Sequence, residues 1–230
     1  MTLPLRDNVP TRSFPVVTVG LIVANVLVFL WENARLEQRV VEYGYYPCKL
    51  AASCVPPGTL AAIPWPEAVF TSMFMHGGWI HLLGNMLFLW IFGNNVEDAM
   101  GRSRFLAFYV LGGLAATALQ TAVTLHYAGP QGESVPNVGA SGAIAAVLGA
   151  YFLLLPNAKV LTLVGFFFLE LPAVVFLGIW IALQLWQGGG GLTHPDQGGG
   201  VAFFAHIGGF AFGLLAVKAF QIRKPLRPSW

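Results

Sequence analysis

The chain has 230 residues, of which 56% are hydrophobic and only 10% charged, with a formal net charge of +2. Soluble domains carry roughly 25% charged residues, so this balance excludes a soluble globular protein and points to the membrane, as does a mean hydropathy of +0.68. The 12 Lys and Arg residues form no stripe interleaved with aromatics, which excludes the electrostatic footprint of a nucleic-acid binder.

A membrane-crossing helix needs about 20 apolar residues. Apolar runs bounded by turn signals predict six spans, residues 14–31, 79–96, 105–125, 141–155, 172–187 and 201–220. The first follows Arg6 and Arg12 in the manner of a signal peptide, but it lacks a small-x-small cleavage site and is long enough to span, so it is read as a retained helix. Several of the runs are short, which implies a locally thin bilayer around the protein. Residues 32–78 form a polar loop with Pro47, Pro56, Pro57, Pro64 and Pro66, whose Tyr43, Tyr45, Tyr46 and Trp65 mark it as structured rather than a disordered linker. Its Cys48 and Cys54 have no Cys or His partner at zinc spacing; they form either a local disulfide, in an oxidising compartment, or two free thiols.

Residues 160–169 are apolar too. Proline favours the first turn of a helix and an acid suits its positive end, so Glu170 and Pro172 start the fifth span and leave 160–169 as a short extended or re-entrant segment at the interface. The whole of 1–230 reads as one membrane-embedded domain with a short tail, 221–230, and no room for a soluble one.

An even number of spans puts both termini on one side. That side holds Arg6, Arg12, Arg102, Arg104, Lys159, Lys218, Arg223, Lys224 and Arg227, against Arg35, Arg39 and Lys49 on the other. Cytoplasmic loops carry the excess of Lys and Arg, so both termini are predicted to be cytoplasmic. Spans two, four and six then start from the outer side. His81, Asn85, Ser141 and His206, each near the N-terminal end of its span, fall at a similar depth.

Polar residues at membrane depth cost free energy unless they find partners, and they mark functional sites. A serine hydroxyl is a weak nucleophile until a base takes its proton, and a neutral histidine is the right base near pH 7. Ser141 shares a helix face with Ala145 and Gly149, and His206 with Gly209 and Gly213, so small residues let the two helices approach closely. Glu170 is read as the only acid inside an apolar stretch, and this topology puts it at the opposite face; a Ser141–His206 dyad is predicted rather than a triad with aspartate. An oxyanion needs donors already aimed at it. The Ser141 backbone N–H, at a helix start, and the side chains of His76 and Asn85 are the candidates. There is no His-Glu-x-x-His, and no carboxylate lies near the histidines in sequence, so neither metal nor cofactor is predicted. His126 and His194 are read as solvated loop residues.

Together these residues resemble the rhomboid family of intramembrane serine proteases. The resemblance rests on His76-x4-His81-x3-Asn85, Glu97-x3-Gly101, Gly139-Ala140-Ser141-Gly142 and Ala205-His206 with Gly209-x3-Gly213, and covers most of residues 76–213. It implies an all-α, six-helix membrane bundle with Ser141 as nucleophile, His206 as general base, and His76, Asn85 and the Ser141 backbone as oxyanion hole. His81, Gly139, Gly142, Gly209 and Gly213 would be structural. Glu97, with Arg102 or Arg104, would tie the ends of helices two and three. Residues 187–200, with glycines at 188–191 and 198–200, would form a hinged loop that admits substrate. Two positions depart from the pattern: Glu67-Ala68 stands where many members carry Trp-Arg, and Ala145 where many carry an aromatic against the base. Orientation of His206 then falls to Phe203, Phe204 or Phe210. The implied partners are transmembrane protein substrates and the lipid bilayer, in a bacterial inner membrane or an organelle of bacterial descent. The competing reading, a rhomboid-like chaperone or adaptor that binds helices without cutting them, fits chains that lack the serine or the histidine.

Overall fold

Each of the six predicted apolar runs falls on one helix of the computed structural model, which describes residues 2–54, 63–193 and 202–226. In chain order, β1 (Thr2–Asp7) precedes α1 (Val16–Asn33). The long loop holds α2 (Leu36–Tyr43), α3 (Cys48–Ala51) and α4 (Trp65–Ser72). Then come α5 (Trp79–Met100), α6 (Arg102–Tyr127), α7 (Gly129–Glu133), α8 (Ser141–Leu154), β2 (Lys159–Val164), β3 (Phe167–Pro172), α9 (Ala173–Thr193) and α10 (Phe203–Phe220). The predicted start of the last span, Val201, lies outside the described residues, as do His194 and the glycines at 198–200.

Among the described residues, α1, α6, α9 and α10 are long and apolar enough to cross a membrane. The other two apolar runs differ for physical reasons. His81, Asn85, Asn94, Asn95, Glu97 and Asp98 dilute the hydropathy of α5. With 14 residues, α8 reaches only about 21 Å at 1.5 Å per residue, short of a hydrocarbon core of about 30 Å. It is also the most enclosed of the helices: every residue from Gly142 to Tyr151 is buried. A helix apolar all round belongs inside a bundle, and α8 sits there, packed chiefly on α10, then on α6 and α5. Phe92, Phe105, Phe108, Leu148 and Tyr151 are fully enclosed in this core.

The segment predicted to be extended, 160–169, is most of a β-hairpin, and α9 begins right after Pro172. The all-α reading is amended at this end, because β1 pairs antiparallel with β2 and completes a three-stranded sheet in the order β1-β2-β3. Its partner strand lies some 150 residues away, so no local pattern announced it. Asp7 fastens the sheet to the bundle, accepting hydrogen bonds from Tyr151 Oη at 2.5 Å and Asn95 Nδ2 at 2.7 Å.

The expected pairing of Glu97 with Arg102 or Arg104 is corrected. Glu97 instead accepts from the Val17 and Thr18 main-chain N–H groups, at 3.0 and 2.7 Å, and from Thr18 Oγ1 at 2.8 Å. It serves α1 as an N-terminal cap delivered from another helix, since Pro15 at the cap position offers no side-chain acceptor. Asp98 next to it pairs with Arg12. In the long loop Cys48 and Cys54 are disulfide-bonded, which resolves the open alternative.

Candidate active site

Ser141 opens α8, His206 is the fourth residue of α10, and His81 and Asn85 lie in the first two turns of α5. These side chains, predicted to share a depth, line one cavity of about 400 Å³, together with Asn137 and Trp180.

Backbone contact holds the serine helix against the histidine helix. A methyl group placed on Gly209 would overlap the carbonyl oxygen of Gly142, one on Gly213 that of Ala146, and one on Gly149 that of Phe210. The seam is therefore closed to any larger residue, as small-residue packing in membranes requires. The start of α10 is pinned from α6, where Gln120 Oε1 accepts from the Ala205 N–H at 3.1 Å. Gly139 leads into α8 with φ at +133°, a conformation that favours glycine; its N–H donates to Ser72 O at 2.8 Å, and a side chain there would press on the His81 ring. No hydrogen bond joins Ser141 to His206 among the described residues.

Orientation of His206 comes from α9, which corrects the expectation of Phe203, Phe204 or Phe210. Gln184 Oε1 lies 2.8 Å from His206 Nδ1, and the Trp180 ring sits 5.7 Å from the imidazole. Phe210 acts one step removed, against Trp180 at 6.1 Å, while Phe203 and Phe204 pack near Gly188. Ala145 lies beside Gly209 in the seam, where an aromatic ring has no room. The sequence signal for Gln184 is an amide inside an apolar run, shared with Gln187; that Gln184 is buried is visible only in the fold. Gly188–Gly190, expected in a hinge loop, are helical and continue α9, and His126 ends α6 rather than lying in a loop.

His76 lies one ring behind the cavity. Its imidazole meets that of His81 edge-on at 5.0 Å, and its Nδ1 donates to Phe74 O at 3.2 Å. Burial, and then the neighbouring His81, push the His76 imidazole down to about 4, so the ring is neutral near pH 7. Its main-chain N–H donates to Glu32 Oε1 at 2.7 Å. Glu32 is fully buried in the last turn of α1 and corrects the reading of Glu170 as the only acid in an apolar stretch. Its bond goes to the His76 backbone and not to His206, whereas Glu170 pairs with Lys159 in the hairpin at 3.3 Å. Four buried polar atoms at this end have no partner: Asn85 Nδ2, His76 Nε2, Asn137 Nδ2 and Glu32 Oε2. Among the described residues no three His, Cys, Asp or Glu side chains are placed to hold a metal ion.

Residues 65–222 match the Rhomboid domain family. Presenilin-associated rhomboid-like protein A, mitochondrial, of Danio rerio is 29% identical over 225 residues, covering 92% of this chain and 51% of that protein. Rhomboid protein 1, mitochondrial, of Saccharomyces cerevisiae is 31% identical over 153 residues, 64% of this chain and 40% of its own length. RHOMBOID-like protein 1 of Arabidopsis thaliana is 32% identical over 155 residues, 67% of this chain and 34% of its own. The chain thus spans about half or less of the length of the curated relatives it matches. With the family match spanning the bundle from α4 to the end of α10, this polytopic helical membrane protein belongs to the rhomboid family.

Proposed function

We propose that this protein is an intramembrane serine endopeptidase that cuts transmembrane segments of other membrane proteins near the outer leaflet, with Ser141 as nucleophile and His206 as general base. Ser141 Oγ attacks the scissile carbonyl carbon while its proton passes to His206 Nε2. The tetrahedral oxyanion collapses, His206 returns the proton to the leaving amine, and water then hydrolyses the acyl-serine by the same two steps in reverse roles.

The observation that carries this reading is the buried donor left without a partner in the cavity that Ser141 lines, Asn85 Nδ2, with the unpartnered His76 Nε2 one ring behind it. Buried polar groups are normally satisfied. Donors held idle in the resting protein suit a charge that exists only during reaction. In this reading Asn85 and the Ser141 N–H hold the oxyanion first. His76 joins them as the Nε2–H tautomer, which it adopts by giving up its contact with Phe74 O. His81, Gly139, Gly142, Gly209 and Gly213 hold the frame, and Glu97 anchors α1.

The short α8 supports the same reading, because a helix about 9 Å shorter than the hydrocarbon core can start below the membrane surface, within reach of water from one side. A stable helix hides its carbonyls, so the substrate carries helix-weakening Gly, Pro or Ser near the cut. The whole of 1–230 forms one membrane-embedded unit in this proposal. The nine-to-three distribution of Lys and Arg supports the part of this reading that has both termini and the 221–230 tail on the cytoplasmic side of a bacterial inner membrane, or on the equivalent side in an organelle of bacterial descent.

The test is cleavage of a transmembrane model substrate by the purified chain in liposomes. Ser141→Ala and His206→Ala are each expected to lower the rate by at least about 10³-fold while the protein stays folded. Unchanged cleavage by Ser141→Ala overturns the mechanism, and substrate binding without any cleavage by the native chain favours the chaperone reading.

A further inference from the structure

We infer that Gln184 is the positioning residue for His206, a neutral acceptor that fixes the base in the tautomer able to take the serine proton. The inference rests on the protease reading above and adds a residue from a helix, α9, that none of the expected site residues occupies.

The amide oxygen of Gln184 lies 2.8 Å from His206 Nδ1. A carbonyl oxygen only accepts, so Nδ1 carries the hydrogen, and in a neutral ring Nε2 then keeps its lone pair. This is the arrangement a serine base needs, and it is set by the group that holds the other nitrogen. Trp180 stands one turn before Gln184 on the same face of α9, with its ring tilted 38° to the imidazole at 5.7 Å. One face of one helix thus supplies both the plane against which the ring packs and the acceptor that turns it. Gln184 is buried, in surroundings where a carboxylate would carry a desolvation cost that only the adjacent imidazolium offsets. An amide orients the ring without bringing a charge into the bundle. Across the cavity the titratable neighbour is His81, and Ser141 and Asn85 complete the polar lining near the ring.

The amide does less than a carboxylate to stabilise the imidazolium that forms as serine attacks. Replacing it by glutamate should therefore keep the geometry and make the base stronger, while replacing it by methionine should keep the volume and lose the acceptor.

The full chain in liposomes is compared with Gln184→Met and Gln184→Glu, following kcat, KM and the pH profile of kcat. Gln184→Met is expected to lower kcat by about 10- to 100-fold with KM nearly unchanged, the size of a general-base effect partly lost. Gln184→Glu is expected to recover most of the rate and to move the acid limb of the profile up by about one pH unit, since a nearby carboxylate favours the protonated ring. A purely structural role predicts neither the recovery nor the moved limb. Nitrogen-15 spectra of histidine-labelled protein, with His206→Ala for assignment, give a readout that does not depend on cleavage: His206 should be protonated at Nδ1 in the native chain and redistribute between tautomers in Gln184→Met. Wild-type kcat in Gln184→Met, or a native His206 protonated at Nε2, overturns the inference. A native chain that cleaves nothing overturns the protease reading instead, and the spectra still decide the tautomer. If Gln184→Met does not fold, Gln184→Ala and the native spectrum carry the same decision.

Discussion

The two ends of the bundle treat buried polar groups in opposite ways. At the end formed by the sheet and the C-terminal turns of α5 and α8, each acid has a partner: Asp7 holds Tyr151 and Asn95, Glu97 caps α1, and Asp98 pairs with Arg12. At the cavity end, Glu32 Oε2, His76 Nε2, Asn85 Nδ2 and Asn137 Nδ2 are buried without partners. Each such atom costs roughly 1–3 kcal/mol in a folded protein. The satisfied end is built for stability, and under the proposed protease reading the unsatisfied end keeps its hydrogen-bonding capacity for chemistry.

The sharpest way to break that contrast is at Asn85. Asn85→Ala removes an idle donor, so kcat for the model substrate should fall about 10²- to 10³-fold, the usual size for an oxyanion donor, while Tm holds or rises. A lower Tm with normal kcat would make Asn85 an ordinary structural amide. Glu97→Ala should behave in the mirror image, costing about 2–3 kcal/mol by leaving the α1 N–H groups without their acceptor. Its kcat per folded molecule should be unchanged at low temperature, and chemical unfolding in detergent measures the loss. The smallest effect lies at Asp7, outside the spans. Burial lifts its carboxyl from 3.8 to about 6, against the lowering effect of the Tyr151 hydrogen bond. A folded pKa raised above the unfolded one means the native state holds a proton that the unfolded chain releases. This contribution is fully present below about pH 4 and is lost as pH rises through about 6; the shift alone would be worth about 3 kcal/mol, and the partial exposure of Asp7 screens it to less. Asp7→Asn should flatten the decline in Tm between pH 4 and 7.

What the sequence made legible was local or periodic. Apolar runs found α1, α5, α6, α8, α9 and α10, because hydropathy needs no knowledge of partners, and Pro172 placed the start of α9 to within a residue. The glycines of the α8–α10 seam were readable from their fourfold spacing. What escaped depended on distance along the chain. The β1 strand pairs across some 150 residues, Glu97 reaches α1 across 79, and Gln184 meets His206 across 22. Glu32 reads as a loop residue because it follows the last apolar residue of its run, and only the fold shows that this helix end is buried. The principle that exposes Ser141 and His206, a polar side chain at membrane depth, applies equally to Gln184, but an amide carries no chemistry of its own to single it out.

The cap that Glu97 supplies to α1 also has a consequence in time. The Val17 and Thr18 N–H groups wait for an acceptor encoded 79 residues downstream of Thr18, and chains lengthen at about 5–20 residues per second. For several seconds after it leaves the ribosome, the first helix therefore has no permanent neighbour for its leading turn. During that interval it resides in the membrane, or beside the insertion machinery, as a separate passenger. Nascent chains halted before residue 97 should leave the leading turn of α1 open to crosslinkers, and those extended past α5 should close it, so that this turn waits on one carboxylate.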